Sequence, residues 1–329
     1  MSNKNISVKM IEYDNTFLNT RLEFNFKGKD VTYPLVNSIR RTALSDLPIF
    51  CWNTTITKNS SVFHNNYMKN RIKAIPVIGI ENKNVFYNNE ITENTDNKEE
   101  DNFLSLDNVD INSTEENIDT SSLNNLNMYL DFKNSTKDLV TVSTENCTFY
   151  YRGKKINNPY KNPIPIVKLQ ADQEIKFSSV SELGNELEKT AEFSACSIFS
   201  YDMLDDNNFN VFVESRGQLS EKEILIRSIE NLKKNILELN DSIPDKNEMI
   251  GTLKVGNQDH TLGNLFAFYA MKDKNVDMFS YNLPHPLDRV IHFNYRLNKG
   301  EVKDVFSRTT NNILKDLDTI LLGFQKFKI

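Results

Sequence analysis

The stretch that decides the predicted fold runs from Ile250 to Leu297 and reads IGTLKVGNQDHTLGNLFAFYAMKDKNVDMFSYNLPHPLDRVIHFNYRL. Near its start, Thr252–Val255 is typical of a short strand that turns Leu253 and Val255 to one face. At its end, Val290–Leu297 alternates between two sets of side chains, which predicts a half-buried strand. The stretch therefore begins and ends with a predicted strand.

A helix is predicted between these two strands. Asp259 and Thr261 carry side-chain oxygens that can cap the free N–H groups at a helix N-terminus. The residues that follow repeat apolar side chains at helical spacing, namely Leu262, Leu265, Phe266 and Tyr269. Pro284 and Pro286 lack backbone N–H groups, so a helix cannot continue through them. The predicted order is strand, cap, helix, turn, strand.

Length and charge limit the possible functions. The chain has 329 residues, which leaves room for about two domains, and 39% of its residues are hydrophobic. Asp and Glu number 45 against 39 Lys and Arg, a formal net charge of −6. Proteins that bind duplex DNA through its phosphates usually present a basic surface. We therefore expect the isolated chain to bind no duplex tightly.

Three cysteines, Cys51, Cys147 and Cys196, are widely spaced and form no C-x-x-C pair, so neither a zinc nor an iron–sulfur site is expected. The glycine spacings that bind dinucleotides or nucleoside triphosphates are missing, and we expect no cofactor. The N-terminus lacks the apolar core of a signal peptide, and no apolar run is long enough to span a bilayer. We therefore expect no association with a membrane.

The first part of the chain is predicted to hold two strands and a helix. Lys9–Phe26 covers the strands, and Gly28 breaks the pattern after them. Pro34 suits the first turn of a helix that ends at Pro48. Its apolar stripe consists of Leu35, Val36, Ile39, Ala43 and Leu44.

Two long amphipathic helices are predicted further along. The first begins at Ser220, which forms a capping-box pattern with Glu223, and its apolar face is Leu225, Ile229, Leu232, Ile236 and Leu239. The second spans Glu301–Phe324 with the apolar face Val302, Phe306, Thr309, Ile313, Leu317, Ile320 and Phe324. Spacing alone leaves two arrangements open: each helix covers its own sheet, or the two helices pack together.

The segment 81–127 is acidic and poor in apolar residues, which predicts a disordered loop. Strand-like patterns resume at 128–132, 139–142 and 147–151.

Two motifs in the C-terminal part resemble a known family. D-H-T-L-G-N at 259–264 and P-H-P-L at 284–287, at this separation, resemble the small assembly subunit of multisubunit RNA polymerases, such as the L-type subunit of archaea. The similarity begins at about Glu248. The residues of this chain that match the two family motifs are Asp259, His260, Thr261, Gly263, Asn264, Pro284, His285 and Pro286.

The N-terminal part is similar to the larger partner of that small subunit, which is the alpha protein in bacteria, the D-type protein in archaea and the third-largest polymerase component in eukaryotes. The similarity lies in N-S-I-R-R-x-x-L-S-D-L-P at 37–48 and in the segments 67–77 and 211–228. Asn70 stands where the family has His. A further similarity, at Pro163–Phe177, implies a strand pair that re-enters the first domain, with Asp172 where the family often has Gly.

The resemblance implies an α+β fold in which the alpha-type dimerisation fold occurs twice in one chain, as an intramolecular pseudo-heterodimer with an inserted, mainly β domain. The expected domains are 1–50 plus 163–240, the insertion 51–162, a linker 241–247, and 248–329. The expected dimerisation interface consists of Leu225, Ile229, Leu232, Ile236, Leu262, Leu265, Phe266, Val302, Phe306, Ile313, Leu317, Ile320 and Phe324.

The implied function is a non-catalytic platform on which the two largest polymerase subunits assemble together with other small subunits, with DNA met only through the complex. Asn37, Arg40, Arg41 and Arg71 are the expected docking residues, and replacing both Arg40 and Arg41 by Glu is expected to leave the fold intact but to block capture of a large subunit. Fusions of this kind are expected in large cytoplasmic DNA viruses. That implies the host cytoplasm and the virion as the location; for a cellular protein it implies the nucleus.

Other functions are weighed against this one. The same fold could serve as a protein–protein adaptor outside a polymerase, and an enzyme could use Cys196 or His260. The Asp259–His260 pair suits a cap better than an acid–base dyad. His285 and His292 have no further ligands nearby in sequence, which disfavours a metal site.

Overall fold

The computed structural model describes residues 6–16, 20–78, 126–185, 191–244, 248–285 and 288–328. Most of the acidic segment 81–127, residues 245–247 of the expected linker, and Pro286 lie outside the described residues. The chain forms two compact units. Unit 1 contains Met1–Ile49 and Gly184–Ile329, and unit 2 is the continuous segment Phe50–Leu183.

The helices and strands follow one another in this order: β1 Ser7–Asn15, β2 Thr20–Lys27, α1 Tyr33–Arg41, β3 Ile49–Asn59, α2 Asn65–Lys73, β4 Leu126–Lys133, β5 Val140–Ser143, β6 Thr148–Tyr151, β7 Lys154–Ile156, β8 Pro165–Leu169, β9 Glu174–Gly184, β10 Cys196–Asp205, β11 Asn208–Ser215, α3 Glu221–Asp241, β12 Ile250–Gly256, α4 His260–Ala270, β13 Val276–Asn282, β14 Val290–Leu297 and α5 Val302–Gln325. No helix in the described part of the chain has the length and apolar character that crossing a membrane requires.

Unit 1 contains two antiparallel sheets. The first has the strand order β1-β2-β11-β10 and the second the order β12-β14-β13. In β2, Leu22, Phe24 and Phe26 are buried, while the residues between them face the other side of the sheet. This is the alternation that the sequence predicts, because successive side chains of a strand point to opposite faces.

Helices α3 and α5 pack against each other in antiparallel orientation. Three pairs define the direction: the Lys222 ammonium donates to the Phe327 carbonyl oxygen, Lys233 pairs with Asp318, and Thr310 bonds to Asn240. All expected interface residues on the two helices are buried. Of the two arrangements that spacing left open, the helices therefore adopt the paired one.

Helix α5 also contributes to the cores of both sheets. Near its start, Phe306 stacks on Phe266 of α4 with ring centroids 4.6 Å apart, and both rings contact Phe293 of β14. Near its end, Phe324 meets Phe24 of β2 edge to face at 5.3 Å. Phe266 and Phe306 therefore fill the core of the second sheet, whereas Phe324 reaches the first.

Unit 2 contains a five-stranded sheet with the order β3-β9-β4-β6-β7 and a two-stranded sheet of β5 and β8. Its core is built from residues of both sheets and of α2, among them Trp52, Met68, Phe149 and Phe177.

One predicted boundary was wrong. The segment 163–177 was expected to re-enter the first domain, but β8 pairs with β5, and β9 pairs with β4 and lies beside β3, so both strands belong to unit 2. The unexpected Asp172 has φ +60°, a left-handed conformation that suits Gly and that Asp tolerates.

Some local predictions also differ from the structure. The helix predicted to end at Pro48 is α-helical only as far as Arg41 and then continues as a π-helical turn, Thr42–Asp46. Strand β13 was not predicted. Helix α3 continues through Asp241 into the expected linker. Ser220 caps α3 as predicted by accepting the N–H of Glu223, but the Glu223 carboxylate pairs with Arg227, one turn further along.

The contact between α3 and α5 can be tested with two leucines on α5. Leu317 is fully buried, and Leu322 is 58% exposed. We expect Leu317→Ala to lower the free energy of unfolding by about 2–5 kcal/mol, because it removes buried methyl groups and leaves a cavity. We expect Leu322→Ala to change it by less than ~0.5 kcal/mol. Urea denaturation measures both. Equal effects from the two substitutions would contradict the packing described above.

Candidate functional site

Helices α1 and α4 meet at a junction formed by small and polar side chains. Ser38 on α1 is buried, and its hydroxyl lies 2.7 Å from the Pro34 carbonyl oxygen and 3.2 Å from that of Thr261. A larger side chain at this position would separate the helices. The first turn of α4 therefore lies directly against α1.

Arg41 at the end of α1 binds the N-terminal cap of α4. Its Nε donates to the Thr261 hydroxyl at 2.7 Å, and its Nη2 donates to Asp259 Oδ2 at 3.0 Å. The other carboxylate oxygen of Asp259 accepts the backbone N–H of Thr261 at 2.7 Å and caps the helix. We call Arg41, Asp259 and Thr261 the Arg41 clasp. It joins the N-terminal and C-terminal parts of unit 1 through charge-assisted hydrogen bonds.

The clasp keeps Asp259 ionised. Burial alone would raise the pKa of this carboxyl, but hydrogen bonds from Thr261 and the charge of Arg41 outweigh it and lower the pKa below the ordinary value. The Arg41 and Asp259 side chains are 38% and 22% exposed, so solvent screens the pair only in part. Arg41 was expected to face a partner protein. Within the chain it contacts the cap of α4, so we now expect Glu at this position to destabilise the fold.

Arg40, the neighbouring residue, makes different contacts. Its Nε donates to the Asn37 side-chain oxygen at 3.1 Å, one turn earlier on α1. Tyr33 on the same helix is 48% exposed, and its ring meets that of Tyr201 on β10 edge to face at 6.1 Å. Burial is the main cause that raises the pKa of Tyr201 to about 12, and the nearby charge of Arg40 opposes it.

We call Tyr33, Asn37, Arg40 and Tyr201 the α1 patch. It combines a guanidinium, an amide and two phenol groups. Sequence analysis did not identify Tyr33 and Tyr201 as candidate site residues. The only feature of the sequence that could have marked Tyr33 is its position immediately before Pro34.

The fourth expected docking residue, Arg71, lies on α2 in unit 2, where its Nε donates to the Ile166 carbonyl oxygen at 3.0 Å. Asn37, Arg40 and Arg41 lie together on α1 in unit 1.

Gly263 of the D-H-T-L-G-N motif lies where α4 touches β13. A Cβ atom on Gly263 would stand 2.4 Å from Cδ2 of the Tyr281 ring, so any larger residue collides with it. The Tyr281 hydroxyl in turn lies 3.3 Å from Nδ1 of the exposed His260. Within this motif, Asp259 and Thr261 cap and clasp α4, and Gly263 allows its close packing. Asn264, the last residue of the motif, is half-buried.

The P-H-P-L motif is at the surface where it is described. Pro284 and His285 are exposed, and His285 Nδ1 lies 3.9 Å from a carboxylate oxygen of Asp288. The described residues contain no group of three or more His, Cys, Asp or Glu side chains placed to hold a metal ion.

Cys196 is a poor candidate for a nucleophile. It is buried, and burial raises the pKa of its thiol to about 12, so the thiol stays neutral near pH 7. Its Sγ donates to the Ala43 carbonyl oxygen at 3.7 Å, which is a packing contact.

Comparison with known proteins finds similarity to RNA polymerase subunits. Residues 251–321 match the family model of the RNA polymerase Rpb3/Rpb11 dimerisation domain. Over 93% of its length the chain is 22% identical to a protein of Acanthamoeba polyphaga mimivirus named as a DNA-directed RNA polymerase subunit, and it covers 88% of that protein.

Two cellular proteins match the C-terminal part. The DNA-directed RNA polymerase subunit Rpo11 of Pyrobaculum aerophilum is 28% identical over 72 residues, which is 22% of this chain and 78% of that subunit. The RPAC2 subunit of RNA polymerases I and III of Drosophila melanogaster is 27% identical over 70 residues, 21% of this chain and 67% of that subunit. These similarities support an RNA polymerase subunit and confirm the C-terminal resemblance at the level of the domain family.

The close approach of Gly263 to Tyr281 predicts that the effect of Gly263→Ala on the free energy of unfolding depends on whether the Tyr281 ring is present. We expect Gly263→Ala to destabilise the protein by about 1–3 kcal/mol through the collision with Tyr281, although Ala is the better helix former by about 1 kcal/mol. In a Tyr281→Ala background the collision is absent, and the same substitution is expected to be neutral or stabilising. Thermal or urea unfolding of the four proteins decides the question. Destabilisation in both backgrounds would contradict the contact.

The Arg41 clasp predicts a coupling energy and a pH dependence. Because the folded-state pKa of Asp259 is lowered, its contribution to stability is present above the ordinary value of 3.8 and is lost as the pH falls below it. At pH 7 we expect Arg41→Ala and Asp259→Asn to couple by about 1 kcal/mol in a double-mutant cycle. We also expect the free energy of unfolding of Arg41→Ala to depend less on pH in the acid range than that of the unmodified protein. Urea unfolding at several pH values measures both, and additive effects at pH 7 would disprove the clasp.

Proposed function

We propose that this chain is a non-catalytic assembly-platform subunit of a multisubunit DNA-directed RNA polymerase. In this proposal the alpha-type dimerisation fold occurs twice in one chain. β1, β2, β10 and β11 with α1 and α3 correspond to the larger partner, and β12–β14 with α4 and α5 correspond to the smaller one. The observation that carries the proposal is the antiparallel packing of α3 on α5 in a chain whose residues 251–321 match a dimerisation domain.

Fusion changes the physical conditions of dimerisation. Two separate subunits have to find each other at their cellular concentrations, whereas two halves of one chain meet at a high effective concentration. Burial of the apolar faces of α3 and α5 then stabilises one folded chain rather than an equilibrium between monomers and dimers.

Within this proposal the α1 patch docks one of the two largest polymerase subunits. A guanidinium at a protein surface can form paired hydrogen bonds with a carboxylate. Arg40 has its Nε held by Asn37, which fixes the direction of its remaining N–H groups, and the rings of Tyr33 and Tyr201 supply apolar contact area. Arg41 is assigned to the clasp and no longer to docking.

Arg71 and the exposed polar face of α2, in unit 2, remain a proposed second docking position. Other small polymerase subunits are further proposed partners, and DNA is met only through the complex. The mimivirus relative supports a viral polymerase, for which the host cytoplasm and the virion are the proposed locations.

The docking role of Arg40 can be separated from the clasp by single substitutions. We expect Arg40→Glu to leave the unfolding midpoint nearly unchanged while strongly reducing recovery of the two largest polymerase subunits with the tagged chain. We expect Arg41→Glu to lower the unfolding midpoint as well, because it places a carboxylate against Asp259. Lys9→Glu, on the exposed side of β1, is the charge-matched control. Recovery is measured by affinity purification from cells that express the native polymerase.

Two outcomes would count against the proposal. Normal recovery of large subunits with Arg40→Glu would remove Arg40 from docking. Recovery of unrelated proteins with the unmodified chain, without large polymerase subunits, would favour an adaptor outside the polymerase.

A further inference from the structure

The outer face of the five-stranded sheet in unit 2 carries aromatic side chains that no role described above uses. Tyr129 on β4 is 42% exposed, and its ring meets the Tyr150 ring on β6 edge to face, with centroids 5.6 Å apart and an interplanar angle of 84°. Lys155 on β7 is the register partner of Tyr150, as is Asn127 on β4. Side chains directly opposite each other in a sheet share a face, so these four lie together. We call them the sheet platform.

The sheet platform is not part of the core of unit 2. Met128, Leu130 and Phe149, which alternate with the platform residues along β4 and β6, are buried in that core. The two tyrosines therefore face away from the core and leave ring surface in contact with water. Exposed aromatic surface beside polar groups is typical of a binding site.

The described part of unit 2 differs from the whole chain in charge. Its described residues, 50–78 and 126–183, contain twelve Lys and Arg against six Asp and Glu, although the chain as a whole has a net charge of −6. At the β6–β7 hairpin, Arg152, Lys154 and Lys155 are exposed, and none of them pairs with an acidic side chain among the described residues. The edge of the platform is therefore positively charged.

We propose that the sheet platform binds single-stranded nucleic acid. Every base has a π-face that can stack on the rings of Tyr129 and Tyr150, and the phosphates carry the charge that complements Lys155 and the hairpin. A duplex keeps its bases stacked on one another, so it cannot use the rings. An acidic peptide would use the cations but not the aromatic surface. The inference does not rest on the polymerase role proposed above.

The segment that precedes β4 in sequence carries charge of the same sign as a nucleic acid. Residues 79–125 contain twelve Asp and Glu against two Lys, and this charge repels phosphates. The affinity is therefore best measured at low ionic strength, about 50 mM salt, where the attraction between the platform cations and phosphates is strongest.

The test uses the full chain and fluorescein-labelled oligouridylate and oligodeoxythymidylate of about 12 nucleotides, within the range that single-strand-binding modules cover. Fluorescence anisotropy is expected to show saturable binding of both. We expect Tyr129→Ala and Tyr150→Ala each to weaken it by about fivefold or more, and Phe at either position to preserve it, because stacking requires the ring and not the hydroxyl. Lys155→Gln is expected to reduce the slope of log K against log salt by about 0.7.

Matched substitutions elsewhere in unit 2 serve as controls. Tyr67→Ala removes an exposed tyrosine on α2, and Lys168→Gln removes an exposed lysine on β8; both should leave binding unchanged. Circular dichroism and the urea midpoint verify that each variant is folded. Absence of saturable binding would overturn the proposal, as would equal losses from Tyr67→Ala and Tyr129→Ala. Competition by a duplex or by polyglutamate as strong as by the unlabelled single strand would overturn it as well.

Discussion

The antiparallel contact between α3 and α5 is the constraint on which the rest of unit 1 depends. Helix α5 is long enough to place Phe306 in the core of one sheet and Phe324 in the core of the other. Neither sheet can complete its hydrophobic core without this helix, so the two parts of unit 1 are expected to fold and unfold together. The pairs Lys222–Phe327 and Asn240–Thr310, near the two ends of the contact, then fix the register.

The register of α3 on α5 brings α1 against the first turn of α4, and there two adjacent arginines acquire different roles. Successive residues of a helix are rotated by about 100°, so Arg40 and Arg41 cannot face the same neighbour. Arg41 meets the cap of α4, and Arg40 stays beside Asn37 near the surface. Two adjacent residues of like charge thus have different partners: Arg41 contacts α4, and Arg40 contacts a residue of its own helix. Sequence alone could not divide them, because the division depends on a helix more than 200 residues away.

Periodicity predicted which residues are buried better than it predicted what they meet. Every residue expected in the interface is buried, yet Phe266 belongs to the core of its own sheet. Strand β13 escaped prediction because a bulge between Val276 and Met278 interrupts the alternation on which strand recognition relies. The domain boundary expected at residue 163 failed for a related reason. Strands β8 and β9 have partners that are distant in sequence, and no local pattern reveals such a pairing.

The net charge of the chain likewise does not show which function one part of its surface has. A sum over the whole chain is a poor guide to what one surface binds, because screening at physiological ionic strength reduces interactions between exposed charges beyond about 8 Å. The acidic total of this chain includes a strongly acidic segment, 79–125, whereas in the described parts of unit 2, residues 50–78 and 126–183, basic side chains outnumber acidic ones two to one. The expectation drawn from the net charge of the whole chain applies to duplex DNA, because a duplex needs many phosphate contacts along an extended basic surface. A sheet that combines two aromatic rings with one lysine is a smaller and chemically different surface, and only the strand register of β4, β6 and β7 brings its members together.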